Sequence, residues 1–269
     1  MSTILRRKVA VLGLFVVSAV SACGSDPLVL PADSAGTELF QQSQGFMEQE
    51  KWSKGAEGFD TLLRNYPTSP HLPQARLALG RAYYEQDRTS TLILAVDSFR
   101  NFLTYHPSHG QVDYAQLMIA FSYMSMMRSP DRDQSQAVEA LRAFEIFFED
   151  YPDSGYGDDA RTQMQAVVDN LSAHELNVAE FQMSRGRYSA ARERAHYALR
   201  KYAATSHRCD FVWILGESHR RQGDGRQAMI YFQRILDEHP DCERIELVRE
   251  NLRQGGATQP SQEDAPGFL

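Results

Sequence analysis

Small and apolar residues recur along this chain in one fixed helical register. The positions four, seven, eight and twelve places beyond Gly55 are Phe59, Leu62, Leu63 and Pro67. Ala95 leads in the same way to Phe99, Phe102, Leu103 and Pro107. Ala140 leads to Phe144, Phe147, Phe148 and Pro152, and Ala228 to Phe232, Ile235, Leu236 and Pro240. Offsets of four, seven and eight place side chains on one face of a helix, and a proline at twelve stops the helix just past its end. Ala191 opens a weaker copy, with Ala195, Ala198 and Leu199, and with Ala203 where proline would stand.

Each of these helices follows a partner with its own spacing. Leu79-Gly80 then Tyr83, Ile119-Ala120 then Tyr123, and Leu215-Gly216 then His219 set a small residue one turn from a larger one, where two helices can approach closely. In the last unit Gly216 and Ala228 are separated by a turn containing Gly223 and Gly225. This is the tetratricopeptide pattern. It predicts an all-α fold, a right-handed superhelical array of about five helical hairpins over residues 37–253, in which each hairpin buries its apolar face only by stacking on its neighbours. The Phe, Leu and Ala positions above are its core, and none is assigned a ligand.

The repeat is broken at three places. Extra residues fall around Arg88 to Thr91, and a longer insertion runs Ser129-Pro130-Asp131-Arg132-Asp133-Gln134. Between Pro152 and Ala191 the pattern predicts an additional helix, roughly Tyr156 to Asn170, ahead of a partner helix from about His174 to Arg185. Insertions in a solenoid map to loops on one face.

The N-terminus carries targeting information. Arg6-Arg7-Lys8 is a positive segment, and Val9 to Val20 is an apolar run of secretory-signal length, too short to span a bilayer. Val20-Ser21-Ala22-Cys23 follows and resembles the lipobox of bacterial lipoproteins. The resemblance implies a signal peptide over residues 1–22, cleavage before Cys23, acylation of its thiol, and, with Gly24 rather than Asp next, an outer-membrane address on the periplasmic face. Two or more acyl chains hold a protein firmly where one is marginal. Residues 23–36 are rich in Pro, Ser, Asp and Gly and are expected to form a flexible tether, and residues 254–269 a disordered tail.

Composition narrows the partners. The formal net charge is −7, or about −10 once the basic leader is removed. No stripe of Lys and Arg interleaved with aromatics stands out, so nucleic acid is not expected as a partner. A search for chemistry finds no G-x-S-x-G, no H-E-x-x-H and no glycine-rich loop after a strand. The eight histidines are scattered, several near helix ends. Neither an enzyme nor a cofactor is expected. With Cys23 acylated, Cys209 and Cys242 are the remaining thiols of an exported chain. They fall near the start and just past the end of an antiparallel hairpin, which favours a disulfide; a zinc site with His207 and His239, or two free thiols, are the alternatives.

The stretches HPSHGQVDYAQLMIAFSYM, SPDRDQSQA, DYPDSGYGDDA and HELNVAEFQMSRGRYSAARE, in this order after a lipobox, resemble the BamD family of outer-membrane assembly lipoproteins from about Glu38 to Pro240. The resemblance implies a non-catalytic subunit of the β-barrel assembly machinery. Its C-terminal half would dock on the periplasmic domains of a BamA-type barrel protein, and its N-terminal half would receive unfolded outer-membrane proteins, with other assembly lipoproteins as further partners. The family's barrel-contacting arginine falls on Arg194, at the rim of its helix's apolar stripe, where it either pairs with a partner's carboxylate or stands as a solvated surface residue. Tyr66, an aromatic at a helix exit, is the candidate for substrate contact, with packing in the repeat turn as its other reading. The alternative function is a tetratricopeptide lipoprotein that bridges other envelope or cell-wall proteins.

Overall fold

The computed structural model describes residues 34–257, and the signal segment, Cys23 and the end of the tail lie outside them. Among the described residues there are eleven helices and no strand: α1 (Ser34–Glu48), α2 (Trp52–Asn65), α3 (Leu72–Tyr84), α4 (Thr89–Tyr105), α5 (Val112–Ser125), α6 (Ser135–Asp150), α7 (Gly157–Ser184), α8 (Tyr188–Lys201), α9 (Arg208–Arg221), α10 (Gly225–Glu238) and α11 (Ile245–Ala257). Each helix packs on the next, so α1 to α10 form five stacked hairpins, and α11 covers the open side of the last. The helices extend past both expected ends of the array: residues 34–36 begin α1, and residues 254–257 finish α11. None of the described helices is long and apolar enough to cross a membrane.

The repeated register makes the core. Phe59, Phe99, Phe144 and Phe232, four places beyond the small residue of each regular unit, are all fully buried. Each contributes on the order of 2–3 kcal/mol of hydrophobic stabilisation. The small residues of the first helices give these rings room. A Cβ on Gly80 would lie 2.8 Å from the Phe99 ring, and one on Gly216 would lie 2.7 Å from the Phe232 ring.

The hairpins share their turns as well as their cores. Every second helix ends on an aromatic or histidine C-cap: Tyr66, His106, Tyr151, Tyr202 and His239 have φ between −118° and −137° and ψ between 53° and 64°. The C-cap carbonyl then accepts the backbone N–H three places on, from Ser69, His109, Ser154, Thr205 and Cys242. In the first four turns that third residue also turns its side chain to accept the backbone N–H two places beyond it, a local closure that stabilises the turn. The fifth turn has Cys242 there instead.

Two of the three breaks in the repeat differ from expectation in form. The residues around Arg88 to Thr91 cap and lengthen α4 rather than forming a loop. The additional helix and the partner helix expected between Tyr156 and Arg185 are one continuous 28-residue helix, α7. No Gly or Pro interrupts the chain from Asp158 to Arg185, so the backbone has no reason to break. The first half of α7 follows α6, and its second half is the partner of α8. The Ser129–Gln134 insertion is a loop, pinned to α7: Asn170 Nδ2 donates to the Arg128 carbonyl at 3.0 Å, and His174 Nδ1 to the Pro130 carbonyl at 2.7 Å.

Candidate docking site on the fourth hairpin

The fourth hairpin lacks the large residues of its siblings. Its second helix, α8, buries only Ala191, Ala195 and Ala198. What it carries outward is polar. Arg194 Nη1 donates to Glu175 Oε2 of α7 at 3.0 Å; the arginine side chain is half exposed, but that of Glu175 is only 11% exposed. One edge of the guanidinium is therefore fixed inside the hairpin while the other faces solvent. The sequence reading missed Glu175, whose signal was a lone carboxylate in the apolar stripe of Leu171, Ser172 and Ala179.

A second pair lies one turn further along α8. Tyr202, the buried C-cap, meets the exposed Tyr197 ring edge-on at 6.3 Å. Burial pushes the Tyr202 phenol well above its ordinary value, and Tyr197 and Glu175 add to the shift. Beneath, Thr205 Oγ1 donates to Ser172 Oγ at 2.6 Å, which ties the turn after α8 to α7. Glu175 and Tyr202 are thus buried holders for two outward groups, Arg194 and Tyr197.

The fifth hairpin is fastened beside this surface. Cys209 and Cys242 are joined by a disulfide, their Cα atoms 6.2 Å apart, which leaves no thiolate for zinc; His207 Nδ1 lies instead 3.7 Å from Asp210 Oδ2. Among the described residues no group of His, Cys, Asp and Glu is arranged to hold a metal. Next to the bridge, Arg244 Nε donates to Asp210 Oδ1 at 3.0 Å and its Nη2 lies 3.4 Å from Glu180 Oε1, while its guanidinium stands over Trp213. A single arginine so links the last turn to α9 and α7.

Tyr66 sits far from these groups, in the turn after α2. It is half-buried rather than an exposed aromatic, its N–H donates to the Leu62 carbonyl at 3.0 Å, and its backbone matches the other four C-caps. Cys23 lies outside the described residues. The structure brings Arg194 and the cysteine pair to one end of the array and leaves Tyr66 at the other.

A family model described as outer membrane lipoprotein, YfiO, matches residues 32–233. The outer membrane protein assembly factor BamD of Neisseria meningitidis serogroup B is 29% identical over 225 residues, covering 78% of this chain and 83% of its own. That of Vibrio cholerae is 26% identical over 221 residues, covering 78% and 90%. That of Rickettsia prowazekii is 25% identical over 236 residues, covering 86% and 89%. Among solved structures, the TPR2AB domain of yeast Sti1 is similar with a TM-score of 0.42 at 8% identity, over 83% of this chain and 84% of that one. Since the match runs from just before α1 through four hairpins and into the second helix of the fifth, the chain belongs to the YfiO family of outer membrane lipoproteins.

Proposed function

We propose that this protein is a non-catalytic subunit of outer-membrane protein assembly, held on the periplasmic face of the outer membrane through lipid on Cys23. In this reading its fourth and fifth hairpins dock on the periplasmic domains of a BamA-type barrel protein, with Arg194 in the contact. Its N-terminal hairpins receive unfolded outer-membrane proteins, with Tyr66 as one contact. The observation that carries the reading is the family match across most of the array together with relatives named as assembly factors. Two features of the molecule support the division of labour. Arg194 is pre-oriented by a buried carboxylate, which lowers the conformational cost of presenting it to a partner. The disulfide and Arg244 stiffen the end next to it.

Affinity purification of the tagged full chain from detergent-solubilised membranes tests the reading. Recovery of a large β-barrel protein with periplasmic domains supports it. Recovery of cell-wall or other envelope proteins without such a barrel protein overturns it in favour of a bridging scaffold.

A further inference from the structure

Charge is divided along the array. Residues 34–184 hold 11 Lys and Arg against 21 Asp and Glu, a net of −10, whereas residues 185–234 hold 11 against 4, a net of +7. The overall acidity of the chain hides a basic stretch, all but one of whose cations are arginine, Lys201 being the exception, and residues 235–257 return to a net of −3.

The repeat locates these charges. The second helices of successive hairpins flank a groove floored by a first helix. Between α4 and α6 it is a cleft of about 440 Å³ with mixed walls: Arg100, Leu103 and Thr104 on one side, and Glu139, Arg142 and Ile146 on the other. The same repeat positions between α8 and α10 are Leu199 and Arg200, Tyr231 and Arg234, His196 and His219. Each set holds two arginines, Arg100 and Arg142 in the first and Arg200 and Arg234 in the second, but the carboxylate of Glu139 is replaced by Gln227, and Tyr231 stands where Ala143 does. The Tyr231 ring is nearly parallel to His219 at 5.7 Å and lies 6.5 Å from His196. Arg192 donates to the side-chain oxygen of Gln222, the C-cap of α9. Arg200 pairs with no carboxylate among the described residues, and Arg234 shares only the exposed Glu238. Burial and then Arg200, His219, Arg192 and Arg234, every one of them cationic or able to become so, hold His196 below its ordinary pKa.

We infer that the groove between α8 and α10 receives an acidic segment of a partner protein, whose carboxylates are taken by Arg192, Arg200 and Arg234 over the Tyr231 ring. The inference rests on the fourth hairpin being a docking element and specifies the chemistry of what docks. Guanidinium forks suit carboxylates bidentately, and a groove walled by them selects a strand or loop that enters it. Glu193, Asp237 and Glu238, exposed on the same two helices, oppose contact with a flat anionic bilayer.

The test uses the full chain in detergent with a labelled peptide of alternating glutamate and alanine as probe. Arg192→Gln/Arg200→Gln/Arg234→Gln is expected to weaken peptide binding at least tenfold and to abolish most of its salt dependence, whereas Arg128→Gln/Arg132→Gln on the α5–α6 loop leaves it unchanged. Arg200→Gln alone, exposed and without a carboxylate partner, gives a severalfold loss even if the triple variant folds poorly. Equal binding by wild type and Arg200→Gln overturns the inference. So does loss of binding to phosphatidylglycerol vesicles through the same arginines with peptide binding intact, which would make the groove a lipid site. If peptide binding maps to the groove while no barrel protein co-purifies with the wild type, the proposed function fails and the groove assignment stands.

Discussion

Arg194 on α8 and Glu175 on α7 form an ion pair at 3.0 Å in which the arginine is half exposed and the carboxylate nearly buried. Exposure alone marks Arg194 as a surface residue open to free substitution. The pair makes it the counter-charge of a carboxylate that has little access to water.

Arg194→Glu should therefore lower stability as well as docking. It removes the partner of Glu175 and sets a second carboxylate beside it, at a cost of about 1–2 kcal/mol for a pair that is buried on one side only. Thermal melting should fall by several degrees, and adding Glu175→Gln should restore most of the loss without restoring recovery of the barrel partner. A melting temperature unmoved by Arg194→Glu would show that the pair contributes nothing.

Gly216→Ala should destabilise the last hairpin. The new methyl would meet the fully buried Phe232 ring at 2.7 Å, so the ring or the helix must shift, at a cost of about 1–3 kcal/mol. Urea denaturation measures it. The third hairpin already has Ala120 at the equivalent place, so Ala120→Gly there should leave a small void instead of relieving strain.

The disulfide should account for a large share of the stability of the terminal hairpin. Its 33-residue separation corresponds to roughly 3–4 kcal/mol in the chain-entropy description of cross-links. Melting with and without reductant should show the difference, and alkylation of the native, unreduced protein should leave Cys209 and Cys242 unmodified. Modification of both would remove the bridge from the account.

Cys23→Ala should abolish labelling by palmitate, since no other cysteine follows the apolar run closely enough to be a lipobox residue. Labelling that persists would place the lipid elsewhere.

Acid should weaken the fold in two stages. Burial holds His106, His196 and His239 below their ordinary value of 6.5. The unfolded chain then binds more protons than the folded one, so stability is unaffected well above pH 6.5 and is lost as pH falls from that value down through the lower folded pKa values. For Glu217, burial pushes its pKa up, but the hydrogen bonds from Arg220 and Arg221 outweigh it and leave the carboxyl below 4.5; its contribution is lost only in that lower range. The urea midpoint should already drop between about pH 7.5 and 5.5, and His196→Asn/His239→Asn should flatten that drop. An unchanged slope in the variant would assign the loss to other groups.

The sequence by itself determined the helices, their pairing into hairpins and the buried Phe register, because those follow from spacings within a dozen residues, repeated often enough to be unmistakable. The same local logic located the insertions and brought Cys209 within reach of Cys242. It did not join the two helices of α7, since the expected hairpin length suggested a boundary where the backbone has none. Nor did it turn Tyr66 into one of five equivalent C-caps, although the aromatic or histidine at each helix exit was there to read. Only the tertiary structure decided that Glu175 holds Arg194 across 19 residues, that Arg244 reaches both α7 and α9, and that Tyr231 of α10 stacks on His219 of α9. Periodicity fixes which face of a helix is buried. Which charge meets which depends on how neighbouring helices cross, and that is set by packing between segments far apart in the chain.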